Sequence, residues 1–161
     1  MKHTVYLALG TNLGDRLENI QAALVALYPD VQVSAESPIY ETPPWGYLDQ
    51  PDFLNQVLMG ETDLEPLELI RYLKQLEADL GRLPGVRYGP RQIDLDILFF
   101  NELILETPEL TIPHPRLAER AFVLVPLADL APDLCHPETG ETVRDMLNKV
   151  DRQDIKLFKT S

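Results

Sequence analysis

Residues 88–100 read Tyr88-Gly89-Pro90-Arg91-Gln92-Ile93-Asp94-Leu95-Asp96-Ile97-Leu98-Phe99-Phe100. From Ile93 to Phe99 the composition is that of a buried strand, with a Gly-Pro pair just ahead of it. Two aspartates interrupt the apolar run. Side chains at i and i+2 of a strand share a face, so Asp94 and Asp96 stand side by side, with Cα atoms about 7 Å apart. Ile93, Leu95 and Ile97 take the other face. Two like charges on a core strand call for a counter-charge. Mg²⁺ supplies one, because it takes hard oxygen ligands from one or two carboxylates plus substrate phosphates. Arg91 is close enough in sequence to reach such a phosphate. An antiparallel strand with its acidic face in water has the same alternation; the flanking Gly-Pro-Arg and the downstream motifs favour the metal.

Working outward from this strand gives the fold. Val5 to Leu9 is a short apolar run ending at Gly10, and Gly10 to Gly14 reads as a turn. Asp15 followed by Glu18 predicts a helix N-cap. Leu17, Ile20, Leu24 and Leu27 recur at helical spacing until Pro29. Val31 and Val33 open a second strand that runs on through Ile39 and Tyr40. Thr42 to Pro51 is a loop of prolines and aromatics, and Phe53 to Met59 is a third strand. A second helix is expected from Thr62 or Asp63, with Leu69, Leu73, Leu76 and Leu80 as its apolar stripe and Gly81 as its C-cap. Arg82 to Gly89 is a loop before the aspartate strand. Short pieces follow: strands near Leu103–Leu105 and Leu110–Pro113, helical turns at His114–Arg120 and Val123–Leu130, and a last helix over Val143–Val150. Ile155–Phe158 either adds a strand or frays. The order strand, helix, strand, strand, helix, strand predicts an α+β fold, the ferredoxin-like βαββαβ core, with helices on one face of an antiparallel sheet and C-terminal additions.

The 161 residues predict one domain, 1–161, long enough to bury a core. A formal net charge of −12 argues against nucleic acid or an anionic membrane as the main partner. No apolar stretch reaches about 18 residues and no signal-peptide pattern opens the chain, so a cytoplasmic location is expected. Cys135 is the only cysteine, which excludes an intrachain disulfide and a cysteine-based zinc site. Between residues 82 and 120 the basic residues are all arginine: Arg82, Arg87, Arg91, Arg116 and Arg120. Arginine's planar fork suits bidentate phosphate contacts, so an acidic chain with this cluster points to a small phosphorylated ligand.

Three further constellations bear on chemistry. Prolines on both sides of His114, in Pro113-His114-Pro115-Arg116, stiffen the backbone around a side chain able to donate to a phosphate. A structural turn with a surface histidine reads the same way. Phe53 and Asn55 share one strand face, a ring beside an amide, and Phe122 is a candidate for the opposite wall of a slot for a flat heteroaromatic ligand. Core packing also accounts for two phenylalanines. Gly10-x-x-x-Gly14 lacks the lysine and hydroxyl of a phosphate-binding loop. Phosphate binding is therefore left to arginine and metal.

Five segments in this order resemble the 6-hydroxymethyl-7,8-dihydropterin pyrophosphokinase family of folate biosynthesis: residues 9–15, LGTNLGD; 40–46, YETPPWG; 49–55, DQPDFLN; 89–96, GPRQIDLD; and 112–122, IPHPRLAERAF. The resemblance implies transfer of the β,γ-pyrophosphoryl unit of ATP to the pterin hydroxymethyl oxygen, with release of AMP. It implies two Mg²⁺ held by Asp94 and Asp96, and it makes Arg82, Arg91, Asp94 and Asp96 the catalytic group. Glu77, Arg82, Arg91, His114 and Arg120 would bind ATP. Thr42, Pro43, Pro44, Trp45, Phe53, Asn55, Asp94 and Phe122 would bind the pterin. The implied fold is ferredoxin-like, and the expected state is a monomer without nucleic acid or membrane. The chain departs from relatives at Pro84-Gly85, at Tyr88 and at Glu109, where some carry arginine. Without the resemblance the residues leave open an ordinary kinase, a nucleotidyltransferase or a non-catalytic nucleotide-binding module, and they single out no general base.

Overall fold

Strand β1 (His3–Thr11) is the centre of the molecule, flanked on both sides by antiparallel partners. The computed structural model describes residues 2–43, 51–81, 93–152 and 154–158. Gly14, at φ +68°, makes the turn out of β1, a conformation that costs glycine little. Asp15 then caps helix α1 (Arg16–Leu27) by accepting a hydrogen bond from the Glu18 amide at 3.1 Å. Strand β2 (Val31–Glu36) and strand β3 (Tyr40–Thr42) follow. The single strand expected over 31–40 is thus two. The break is at Ser37, whose hydroxyl accepts from the Val57 amide at 3.0 Å and whose own amide donates to the Val57 carbonyl.

Strand β4 (Phe53–Thr62) runs the full length of β1 and also pairs with both β2 and β3. It reaches three residues further than expected. This moves the start of helix α2 (Pro66–Leu80) beyond Thr62 and Asp63. Glu65 is the N-cap there, in a reciprocal capping box with Glu68, and Pro66 sits where a missing amide costs nothing. Gly81 closes α2, its amide donating to the Glu77 carbonyl at 2.9 Å.

Strand β5 (Asp94–Phe100) is the opposite edge of the sheet from the C-terminus, giving the order β5-β1-β4-β3, with β2 also on β4. Strands β6 (Leu105–Glu106) and β7 (Thr111–Ile112) form a small separate hairpin. A 3₁₀ turn (Leu117–Glu119) leads into helix α3 (Ala121–Leu130), followed by α4 (Val143–Leu147), which ends short of Val150. Strand β8 (Lys156–Leu157) pairs with β3, and the Phe158 amide donates to Ile39 at 2.9 Å, so the C-terminus adds a strand.

Helices cover both faces of the sheet, not one. Val5, Leu7, Leu9, Leu54, Leu58 and Leu95 pack under α1 and α2. Val57, Leu98 and Phe99 pack under α3 and α4, against Leu124, Leu127 and Met146. The apolar stripe of Val123, Leu124 and Leu127 requires this second layer. A bulge lets β5 serve both: Tyr6 pairs with Phe99 but Leu7 with Ile97, so Leu98 is the extra residue. Leu98 and Phe99 therefore fall in one core and Phe100 in the other.

Candidate active site

The pairing register places a row of residues straight across the sheet. Asp94 lies opposite Gly10, Gly10 opposite Asn55, and Asn55 opposite Tyr40. The next row is Asp96, Ala8 and Val57. Strand alternation puts Asp94, Asp96, Ala8, Gly10, Phe53 and Asn55 on the α3 face, while Leu95 turns into the core beneath α2. Where α3 begins, this end of the sheet is left open.

The opening is a cavity of about 160 Å³. Its floor is Ala8, Gly10 and Asn55, its acidic end Asp94 and Asp96, and its walls Phe53, Phe122 and Pro43. Gly10 is floor rather than turn: β1 continues to Thr11, and a Cβ on Gly10 would lie 3.1 Å from Asn55 Oδ1. Asn55 is buried and its Nδ2 donates to Thr42 Oγ1 at 2.7 Å, which fixes the amide's orientation. Arg120, which also lines the cavity, sits over the Phe122 ring at 5.6 Å from its centroid.

Asp96 faces a second cavity of about 250 Å³ as well. That one lies between α2 and the β6–β7 hairpin and includes Ile70, Lys74, Glu109, Thr111 and His114. The His114 amide donates to the Leu98 carbonyl, and its Nδ1 accepts from the Arg116 amide at 3.2 Å. The neutral ring therefore carries its proton on Nε2. Burial pushes the His114 pKa below the ordinary histidine range; Arg120, Arg116 and Lys74 push the same way, and among the described residues Asp96 opposes them.

Of the residues expected at a site, the structure brings Asp94, Asp96, Thr42, Pro43, Phe53, Asn55, Arg120 and Phe122 around the first cavity and His114 into the second. Arg82, Arg91, Pro44 and Trp45 lie outside the described residues. Glu77 lines neither cavity; its carboxylate accepts from the Leu95 amide at 2.7 Å, between the two aspartates. Arg116, one of the clustered arginines, is instead in an exposed pair with Glu119. Sequence reasoning missed Gly10, Lys74 and Thr111. It also missed the partner of Glu109: both carboxylate oxygens accept from Arg71, at 2.9 and 3.0 Å, on the rim of the second cavity. That pair lowers the Glu109 pKa and raises that of Arg71. The Lys74–Glu77 spacing, i and i+3 on a helix, is the one signal that was present for Lys74.

Residues 6–132 match the family model of 7,8-dihydro-6-hydroxymethylpterin-pyrophosphokinase (HPPK). The chain belongs to the HPPK family. It is 49% identical over 140 residues to the 2-amino-4-hydroxy-6-hydroxymethyldihydropteridine pyrophosphokinase of Pseudomonas aeruginosa, covering 86% of each chain. It is 44% identical over 157 residues to a folic acid synthesis protein of Schizosaccharomyces pombe, which takes in 96% of this chain but only 21% of that one. The chain thus spans most of the bacterial HPPK and about a fifth of the longer fungal protein. The crystal structure of a Plasmodium falciparum HPPK-DHPS has the same fold, at a TM-score of 0.75 and 18% identity over 92% of this chain and 45% of that one. Among the described residues no helix is long and apolar enough to cross a membrane.

Proposed function

We propose that this chain transfers the β,γ-pyrophosphoryl group of ATP to the hydroxymethyl group of 6-hydroxymethyl-7,8-dihydropterin, giving AMP and the pterin pyrophosphate for folate biosynthesis. The observation that carries this reading is the double exposure of Asp96, which faces both the aromatic-walled cavity and the cavity holding His114. In an HPPK family member, two reactants that meet at one carboxylate are a pyrophosphate donor and its acceptor.

The aromatic-walled cavity suits the pterin. Phe53 and Phe122 offer ring faces, and Asn55, fixed by Thr42, offers an edge for hydrogen bonding. Pro43 lines the same cavity, and Pro44 and Trp45 would share the pterin contact. The second cavity suits the nucleotide. The Nε2–H of His114 would donate to a phosphate oxygen, and Arg120, which lines the first cavity and lies over the Phe122 ring, would bring a second positive charge to the transferring group. Arg82 and Arg91 would complete the phosphate contacts.

Asp94 and Asp96 fit Mg²⁺. They are hard oxygen donors on one strand face, half-buried at a cavity edge, and among the described residues no cluster of three or more ligating side chains competes with them. Two ions are expected. Bound Mg²⁺ supplies charge neutralisation for the phosphate oxygens and a template for in-line displacement. The protein's part is positioning. The phenylalanines hold the ring in plane, Asn55 sets its rotation, and arginine and His114 Nε2–H stabilise charge on the transferring group.

The proposed fold detail is ferredoxin-like. The sheet order β5-β1-β4 followed by β2 and β3 is that pattern with its second strand broken in two, and β8 and α3–α4 are additions. The domain 1–161 would act as a cytoplasmic monomer without nucleic acid or membrane.

The test is product analysis with ATP, Mg²⁺ and 6-hydroxymethyl-7,8-dihydropterin. Pterin-dependent AMP together with pyrophosphorylated pterin is the expected result. ADP, or a nucleotide joined to the pterin, would overturn it.

A further inference from the structure

Strand β5 is a sheet edge, paired only with β1 among the described strands. An edge strand turns alternate backbone groups outward, and left alone they are held by water. At Leu95, the residue between the two aspartates, the outward amide is held by protein instead. Glu77 reaches across from the last turns of α2, and its Oε2 accepts from Leu95 N at 2.7 Å. The Glu77 side chain is only 9% exposed. A carboxylate so nearly buried costs free energy unless it is paired and hydrogen-bonded. Lys74 supplies the pairing, with Nζ 3.3 Å from both oxygens. Leu95 itself is fully buried beneath α2, so the backbone here is fixed from two sides.

We infer that Glu77 is a positioning residue that clamps the backbone of the Asp94-Leu95-Asp96 segment and so holds both carboxylates at the depth and spacing that Mg²⁺ requires. A metal site needs its donors held within about half an ångström, and edge strands are the least restrained part of a sheet. Without the clamp a small rotation about the Leu95 backbone moves both carboxylates at once, because they leave the strand on the same face. The clamp rests on the hydrogen-bond acceptor, not on the charge: Glu77 lines neither cavity and is aimed at the strand. This inference depends on the proposed reading only in taking the two aspartates as the Mg²⁺ ligands.

Two variants separate acceptor from charge. Glu77→Gln keeps an oxygen that can accept from Leu95 N–H, and Glu77→Ala removes it. The readouts are hydrogen exchange at the Leu95 amide, Mn²⁺ titration followed by electron paramagnetic resonance with no nucleotide present, thermal midpoint, and the Mg²⁺ dependence of turnover. In Glu77→Ala, Leu95 exchange is expected to quicken and Mn²⁺ affinity to fall, each roughly five- to tenfold, as for loss of a buried hydrogen bond. The Mg²⁺ needed for half-maximal turnover should rise with it, while KM for the pterin holds. Glu77→Gln should restore most of each value. Equal damage in both variants would overturn the clamp in favour of a charge role. A lowered thermal midpoint with unchanged Mn²⁺ affinity would overturn it in favour of edge-strand stability alone. Exchange and Mn²⁺ binding are read without substrate, so a wild-type protein that failed to release AMP would sink the proposed reaction and leave the clamp to be decided by these two measurements.

Discussion

Gly10→Ala is the sharpest perturbation of the aromatic-walled cavity. Gly10 lies mid-strand between Asp94 and Asn55, and it is not among the residues with positive φ, so alanine adopts its backbone conformation without strain. The new methyl would sit 3.1 Å from Asn55 Oδ1 and 3.9 Å from Phe53 Cδ1. Nothing backbone stands in its way. Asn55 can yield, because one side of its amide borders open cavity, but yielding strains the 2.7 Å bond from its Nδ2 to Thr42 Oγ1. Degrading a buried neutral hydrogen bond and turning the amide edge away from the ligand together cost about 1–2 kcal/mol, or roughly 5- to 30-fold in affinity. The fold should hardly notice, since replacing a mid-strand glycine also reduces unfolded-chain entropy. The assay is steady-state kinetics with each substrate varied in turn, beside a thermal melt. KM for the pterin should rise by that factor, while KM for ATP and the thermal midpoint hold. A lowered midpoint with unchanged pterin KM would refute the reasoning: the methyl would then be displacing the sheet, not the amide, and Asn55 would have no hold on the ligand.

Asp96→Asn is expected to lower turnover by orders of magnitude with the circular dichroism spectrum intact. It removes one of two like charges on a single strand face, so its thermal midpoint should hold or rise; near-normal turnover would dismiss the metal assignment. His114 gives a pH signature. Its folded pKa lies below the ordinary value of 6.5, mainly through burial. On acidification through that value the unfolded chain binds a proton that the native state refuses, so stability falls as pH drops from the ordinary range toward the folded pKa. Bound Mg²⁺ would neutralise Asp96, the neighbour that opposes the shift among the described residues, so metal deepens the effect. Urea midpoints between pH 7.5 and 5.5 should fall more steeply for the wild type than for His114→Gln, and parallel slopes would exclude His114 as the source.

What the sequence revealed depended on how local each signal was. The α1 N-cap was legible because Asp15 and Glu18 are three residues apart. The carboxylate pair was legible because strand geometry alone puts Asp94 and Asp96 on one face. The broken β2–β3 strand was not, since the break depends on Ser37 bonding to Val57, twenty residues away. The second helical layer was also missed. The apolar residues of α3 were visible, but the β5 bulge that gives Leu98 and Phe99 to that layer exists only in the register against β1. Gly10 passed for a turn because a glycine after an apolar run usually ends a strand. Here the strand continues, and the absent side chain makes room for Asn55 and the cavity.

The same distinction separates two carboxylates that lie near the site. Glu77 and Glu109 look alike in the chain, acidic residues near a phosphate-binding region, yet their partners differ in kind. Glu109 is exposed on a cavity rim, and the Arg71 fork occupies both of its oxygens, so it adds little unbalanced negative charge where a triphosphate would enter. Glu77 is nearly buried and spends one oxygen on a backbone amide between the two aspartates. A net charge of −12 would repel an anionic substrate if its carboxylates were all alike. Around this site they are not. Glu109 is bound to arginine, Glu77 is turned to the backbone and paired with lysine, and among the described residues Asp94 and Asp96 line the first cavity, with Asp96 at the edge shared with the second. The negative charge is thereby concentrated where a bound divalent cation would reverse its sign, which is how an acidic protein would take a nucleoside triphosphate.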